Sequence, residues 1–220
     1  MHRWRARQGG TASRTHQLAL AAGVAGALSI TAALVAELGA DDDVAMDRRV
    51  RDWVRGRRSS AVRTTLHAAS VMGSVAVYAP ATLVAAGLVA RRRGARQAIP
   101  IVVAVGGAAA MSHLVKRAVQ RPRPPSRDRT ADEHPSFPSG HTTRATAAAF
   151  TIAYALVREG VLPQAVAVPV SFAVAALVGA SRTWSDKHWT TDVVGGWALG
   201  TASAAGAALW YESVRAGTET

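Results

Sequence analysis

Long stretches without charge alternate with short charged segments along this 220-residue chain. Six stretches contain no Asp, Glu, Lys or Arg, and they cover residues 18–36, 64–90, 97–115, 145–157, 160–181 and 193–211. A helix needs about 20 residues to cross the roughly 30 Å hydrocarbon core of a bilayer, and all of these stretches except 145–157 approach or exceed that length. The pattern predicts an all-α fold, a polytopic membrane bundle of six helices.

The stretch 145–157 is the short one. It reaches spanning length only if its helix begins near Thr142, with the Arg144 side chain extended to the membrane edge. Mean hydropathy is only +0.10, but the 48 alanines lower this average without interrupting the uncharged stretches. The alternative is a soluble alanine-rich bundle whose buried helices lack charge, because alanine is the best helix former and a weak membrane anchor.

The charged segments define the domain organisation. We predict a basic N-terminal tail (1–17), one six-span domain (18–214) and a short C-terminal tail (215–220). Within the domain, residues 40–63 mix aspartates and arginines with Val50, Trp53 and Val54, a pattern typical of an amphipathic helix at the membrane interface. Gly196 and Gly200 are four residues apart, and this spacing predicts close helix packing.

If all six stretches span, segments 37–63, 116–142 and 182–192 share one side of the membrane. A raw count of basic residues favours an N-terminus outside. The acid-free N-terminal tail and the short basic turn at 91–96 favour an N-terminus inside, and we expect that orientation, with the segment 116–142 outside. Net charge is +12, but the arginines are spread over every inter-span segment, which disfavours nucleic-acid binding. The absence of cysteine excludes disulfides and thiolate metal sites.

Three polar clusters lie in the last two of these segments. The first is Lys116 with Arg123-Pro124, the second is Pro138-Ser139-Gly140-His141, and the third is Ser181-Arg182 with His188 and Asp192. In order and spacing they resemble the three-part signature of the type 2 phosphatidic acid phosphatase superfamily: Lys, six residues, Arg-Pro; then Pro-Ser-Gly-His; then Ser-Arg, five residues, His, three residues, Asp. No position of the signature is missing.

The residue types suit one phosphate group. Lys116, Arg123 and Arg182 supply fixed positive charge and bidentate donors for phosphate oxygens. Gly140 lets the backbone approach closely, the amides of a helix N-terminus attract an anion, and the Ser139 hydroxyl is a further donor. Asp192 follows His188 by four residues, so a helix beginning there places both on one face, where the carboxylate orients the imidazole.

The resemblance implies the remaining roles. His188 would attack phosphorus to form a phosphohistidine, and His141 would protonate the leaving group and then activate water. Such a site needs neither metal nor cofactor. Arg121, two residues before the signature arginine, is a candidate accessory contact to phosphate or headgroup. The resemblance therefore implies an integral membrane enzyme that hydrolyses a lipid phosphate or diphosphate, with the bilayer and its lipids as partners and the oligomeric state open.

Two other functions stay open at this point. The signature is shared with soluble acid phosphatases and vanadate-dependent haloperoxidases, so a soluble enzyme of that type is one alternative. The other is a non-catalytic lipid-phosphate binder or transporter. The presence of His141, His188 and Asp192 speaks against it, because binding alone requires neither acid nor nucleophile.

Overall fold

The computed structural model describes residues 13–40, 44–57, 59–125 and 134–217. These residues form eight helices: α1 (Arg14–Ala40), α2 (Ala45–Arg55), α3 (Ser60–Met72), α4 (Val75–Arg93), α5 (Ala95–Val119), α6 (Gly140–Arg158), α7 (Gln164–Trp184) and α8 (Thr190–Ala216). No strand occurs in these ranges. The all-α prediction is therefore confirmed.

Five of the described helices, α1, α4, α5, α7 and α8, are long and apolar enough to cross a membrane. Their outer faces carry large apolar side chains that stay mostly exposed in the bundle, among them Leu83 (61 % exposed), Val84 (72 %) and Phe172 (61 %). A water-soluble bundle buries such residues, whereas a bilayer solvates them. The protein is an integral membrane protein.

Helix α6 contains the predicted short span but is not among these five. It packs against α5, α7 and α8 in the interior of the bundle, and it begins at Gly140, earlier than the start near Thr142 expected from the sequence. Buried threonines lower its hydropathy, including Thr143, Thr146 and Thr151. A helix surrounded by protein tolerates them, and its 19 residues extend about 28 Å.

The uncharged stretch 64–90 was expected to form one helix, and it forms parts of two. The chain breaks at Gly73 and Ser74, between α3 and α4. Gly73 is packed so closely that a Cβ there would lie 2.8 Å from Cγ1 of Val178 and 3.2 Å from Cβ of His141. The break places α3 beside α7 at one end of the bundle, and only α4 remains as the span.

Close packing of α8 against α6 follows from two glycines. A Cβ at Gly196 would lie 2.9 Å from the carbonyl oxygen of Ser139, and one at Gly200 would lie 2.6 Å from that of Thr143. Real Cβ atoms do not approach backbone so closely. The small-residue pair predicted from the sequence therefore does bring two helices together, and it fixes the start of α6 against the start of α8.

The opposite end of the bundle is joined by ion pairs to two buried carboxylates. Arg158, near the end of α6, donates to both carboxylate oxygens of Glu212 on α8, at 2.6 and 2.8 Å. Glu159 accepts from Arg93 at 2.9 Å and from Arg215 at 3.2 Å. Arg215 is 3 % exposed and belongs to α8, so the helix extends past the predicted boundary at 214. Likewise α1 begins at Arg14, inside the predicted tail; residues 1–12 and 218–220 lie outside the described ranges.

Candidate active site

The three polar clusters meet at one end of the bundle. Lys116 lies in the last turn of α5, Gly140 and His141 begin α6, Arg182 ends α7, and His188 precedes α8. Prolines 122 and 124 end α5, because neither can continue a helix, and Gln120 turns the chain through a left-handed conformation (φ 51°). Residues far apart in sequence thereby face one small volume.

His188 is held at both ring nitrogens. Its Nδ1 lies 3.3 Å from Oδ2 of Asp192, and its Nε2 lies 3.3 Å from Nη1 of Arg123. A carboxylate accepts and a guanidinium only donates, so this pairing places the proton on Nδ1 and a lone pair on Nε2. Nε2 is therefore the ring nitrogen that carries the lone pair.

The imidazole stays neutral at physiological pH. Burial lowers the pKa of His188 to about 4, because removal from water disfavours the charged ring. The hydrogen bond and charge of Asp192 act in the opposite direction, and the cations Lys116 and Arg123 reinforce the lowering. A neutral imidazole is the form that can attack phosphorus.

Asp192 also organises the local backbone. Its Oδ2 accepts the amide of Trp189 at 2.9 Å, which satisfies one of the free donors at the N-terminus of α8. Its Oδ1 accepts from Nη1 of Arg121 at 2.9 Å. The side chain is fully buried, so its orientation toward His188 is set by these fixed partners.

Two of the predicted phosphate ligands also shape the loops around the site. Nζ of Lys116 donates to the carbonyls of Pro135 and Ser136, at 2.7 and 2.9 Å. Arg123 donates from Nε to the carbonyl of His134 at 2.9 Å and from Nη1 to that of Lys187 at 2.6 Å. These bonds tie the loop before Pro138 to the loop that carries His188.

A residue outside the signature orients Arg182, the third predicted cation. Its Nη1 donates to the hydroxyl of Ser70 on α3 at 2.7 Å. Its Nε is buried and has no hydrogen-bond partner among the described residues. The residue is 7 % exposed, so this cation is held in place with donor capacity left.

The Pro-Ser-Gly-His cluster forms the N-terminus of α6. Ser139 is the N-cap residue; its amide donates to the carbonyl of Asp192 at 2.9 Å, and its hydroxyl accepts from Thr142 at 2.9 Å. The amides that follow Ser139 begin the helix, and helix geometry gives them no intrahelical acceptor. His141 is half-buried beside them. An anion near His141 would meet both the amides and the cations.

Arg121 is not placed as the accessory phosphate contact considered from the sequence. Its guanidinium lies behind Asp192, and both ion pairs of this arginine are buried: Nη1 to Asp192 at 2.9 Å and Nη2 to Asp47 at 2.8 Å. Its charge is matched by carboxylates that also contact Thr191 and His188. Arg121 therefore supports the site from its inner side.

Sequence reasoning missed Asp47. This residue lies on α2, inside the predicted interfacial segment 40–63, and it accepts from the amide of Thr191 at 2.9 Å and from its hydroxyl at 2.6 Å. The available signal was its position: Asp47 precedes Val54 by seven residues and shares the buried face of α2. A carboxylate on the apolar face of an amphipathic helix needs a buried partner.

Helix α2 is also attached to the site by its basic face. Arg51 donates to Asp186 at 3.1 Å and Arg55 to the same carboxylate at 3.2 Å. Both arginines also donate to the carbonyl of Pro125. The segment predicted as an interfacial helix thus covers the loop before His188.

The side chain of Arg144, which was expected to extend to the membrane edge, reaches back toward the start of α6. A Cβ on Gly140 would lie 3.3 Å from Nη1 of Arg144, so the guanidinium turns back toward the start of α6. Its Nε is buried without a hydrogen-bond partner in the described ranges, and its guanidinium lies 5.7 Å from the ring of Tyr78. The site therefore holds a cation that the signature does not include.

The assembled groups are two imidazoles, those of His141 and His188, and several fixed cations. Within the described ranges, no group of three or more His, Asp or Glu side chains is placed to hold a metal ion. The arrangement is suited to transfer of a phosphoryl group, since such transfer depends on positioning and on charge stabilisation.

The chain is similar to proteins that are already known. Residues 97–216 match the model of the PAP2 superfamily. Phosphatidylglycerophosphatase B of Bacillus subtilis (strain 168) is 34 % identical over 95 residues, which are 41 % of this chain and 46 % of that protein. The matched part therefore spans about half the length of this curated relative.

Two solved structures share the fold. The crystal structure of the first transmembrane PAP2 type phosphatidylglycerolphosphate phosphatase from Bacillus subtilis superposes with a TM-score of 0.72 at 21 % identity, covering 89 % of this chain and 95 % of that one. Aquifex aeolicus LpxE superposes with a TM-score of 0.58 at 22 % identity, covering 76 % and 97 %. The family match covers more than half of the residues and contains all three polar clusters, and we conclude that this chain belongs to the PAP2 superfamily.

Proposed function

We propose that this protein hydrolyses the phosphate or diphosphate group of a membrane lipid through a phosphohistidine intermediate. The observation that carries the proposal is the placement of His188 between Asp192 and Arg123. Asp192 holds the proton on Nδ1, so Nε2 carries the lone pair that attacks phosphorus once the substrate displaces its contact with Arg123. Phosphatidic acid, phosphatidylglycerol phosphate and polyprenyl diphosphate are the candidate substrates, and the name of the Bacillus subtilis relative supports the second.

The first step is attack of Nε2 of His188 on phosphorus. The P–N bond forms as the bond to the leaving oxygen breaks, and that oxygen takes a proton from His141. Lys116, Arg123 and Arg182 stabilise the charge on the non-bridging oxygens, together with the amides at the start of α6. In the second step His141 removes a proton from water, the water oxygen attacks phosphorus, and the P–N bond breaks to release phosphate.

Asp192 and Arg121 act on His188 rather than on the substrate. The imidazole becomes positively charged as phosphorus is attacked, and the buried carboxylate stabilises that charge. Arg121 keeps the carboxylate ionised and oriented. We propose no metal or cofactor in this scheme, and no nucleic-acid partner. The proposed topology has a cytoplasmic N-terminus and an active site facing outside.

The test is phosphate release by detergent-purified protein from a panel of the three candidate lipids. H188A should reduce turnover to background on whichever lipid the wild type hydrolyses. H113A is the matched control, because His113 is an exposed histidine on α5, and it should retain wild-type turnover. Unchanged turnover by H188A would exclude His188 as nucleophile.

A trapped intermediate tests the mechanism separately. Rapid acid-free quenching of wild-type protein with ³²P-labelled substrate should yield labelled protein that is lost in acid and stable in base, as expected for a phosphohistidine. Because His141 acts in both steps, H141A should form the label more slowly and also lose it more slowly than the wild type. Binding of the lipid without turnover by the wild type would instead support the non-catalytic alternative.

A further inference from the structure

Arg144 is a cation of the site to which the signature assigns no role. It follows His141 by three residues and therefore shares its face of α6. The guanidinium is directed back toward Gly140, with Nη1 3.3 Å from where a Cβ would stand. It is half-buried, its Nε is fully buried, and no hydrogen bond or ion pair joins its guanidinium to another residue within the described ranges.

The charge of Arg144 acts on the site. It interacts electrostatically with Lys116, His141 and Arg182. Four cations therefore lie around the site: Lys116, Arg123, Arg144 and Arg182. The buried carboxylate of the site, Asp192, already pairs with Arg121 and His188. Like charges held together repel unless an anion lies between them.

The positive charge around the site indicates how much negative charge the substrate carries. A single phosphate group carries about −1.5 to −2 near neutral pH, and Lys116, Arg123 and Arg182 already exceed that. A second phosphoryl group adds further negative charge. In the proposed reaction the leaving oxygen lies beside His141, which shares a face of α6 with Arg144. A second phosphoryl group bonded to that oxygen therefore lies near Arg144.

The geometry points to Arg144 as the contact for the second phosphoryl group of a lipid diphosphate. This inference rests on the proposed function and narrows its substrate class. His188 Nε2 bonds to the terminal phosphorus, the bridging P–O bond breaks, and the lipid monophosphate leaves with the proton of His141. Arg144 donates in a bidentate manner to the oxygens of that leaving phosphate, and water then releases orthophosphate as above.

The kinetic test compares a polyprenyl diphosphate with the monophosphate of the same alcohol. In R144Q, kcat/KM for the diphosphate should fall about 10- to 100-fold further than for the monophosphate, the factor expected for lost hydrogen bonds to a charged group. R144K should lie between R144Q and wild type, because lysine keeps the charge without the planar fork. R117Q, which alters an exposed arginine near the end of α5, should change neither value.

An equal fall for both substrates would overturn the inference, since it would make Arg144 a general cation of the site. R144K keeps the test valid if R144Q folds poorly. Thermal unfolding of each purified variant shows which of the two should be used.

A binding measurement separates this inference from the proposed function. In an H188A background, which cannot form the phosphohistidine, calorimetry should show tighter binding of inorganic pyrophosphate than of orthophosphate. Adding R144Q should lower the ratio of the dissociation constants for orthophosphate and pyrophosphate at least tenfold. If wild type hydrolyses none of the lipids but the preference depends on Arg144, the proposed function fails and the subsite stands. If the preference is independent of Arg144, the subsite is wrong whatever the turnover.

Discussion

Nη1 of Arg121 donates to Oδ1 of Asp192 at 2.9 Å, and both side chains are buried, with 1 % and 0 % exposed. Through Nη2 the same guanidinium reaches Asp47 on α2 at 2.8 Å. A chain of charged groups therefore connects a helix outside the signature to the carboxylate that orients His188. The proposed nucleophile depends on a residue that precedes it by 141 positions.

We predict that D47N lowers kcat with little change in KM. Asparagine keeps the size of Asp47 but loses the charge that balances Arg121, and breaking a buried ion pair costs about 3–5 kcal/mol. A shift of Asp192 and His188 by about 1 Å costs on the order of 100-fold in rate. Steady-state kinetics and thermal unfolding measure both effects. D52N, at an exposed position of the same helix, is the control and should match wild type; equal behaviour of the two variants would refute the link.

The titration of His188 should occur well below the usual range of histidine. Burial lowers its pKa to about 4, so the ring is neutral and nucleophilic above that pH and becomes charged and inactive below it. Histidine-selective ¹⁵N NMR of purified protein in detergent should show one ring titrating near pH 4, with a resonance that disappears in H188A. A midpoint near the ordinary value of about 6.5 would contradict the burial of this side chain.

Substitution of Gly200 should damage both stability and activity. In G200A the new Cβ would lie 2.6 Å from the carbonyl oxygen of Thr143 and 2.7 Å from Cβ of Thr146, so α6 and α8 must separate. Overpacking of this kind costs about 1–3 kcal/mol, and the separation moves His141 away from His188. Gly206 lies on the same helix, and a Cβ added there would have nothing within 4 Å, so G206A should leave the unfolding temperature and turnover unchanged.

Topology can be tested with single cysteines, because the chain contains none. Ser185 is exposed in the loop before His188, and Ser213 is exposed near the opposite end of α8. If the active site faces outside, a membrane-impermeant maleimide should label S185C in intact cells, and it should label S213C only after the cells are opened. The reverse pattern would place the active site in the cytoplasm.

The class of the fold and the residues of the proposed site could be predicted without coordinates. Uncharged stretches near 20 residues require helices in a bilayer, since backbone polar groups there must be satisfied within the segment. The spacing of Lys116, Arg123, His141, His188 and Asp192 is local information, and it was readable without coordinates. The small-residue pair Gly196 and Gly200 likewise indicated a helix contact, although it did not name the partner.

Features that depend on contacts between distant segments could be seen only in the tertiary structure. The break at Gly73 arises from packing against His141 and Val178, which hydropathy does not encode. From the sequence, Arg121 was a candidate accessory phosphate contact and Arg144 was expected at the membrane edge, because a sequence gives charge and approximate depth but not the direction of a long side chain. Only the fold shows that Arg121 turns to two buried carboxylates, since burial without a partner charge is costly and the available partners are set by neighbouring helices. Only the fold shows, too, that Arg144 turns back toward Gly140 at the start of α6.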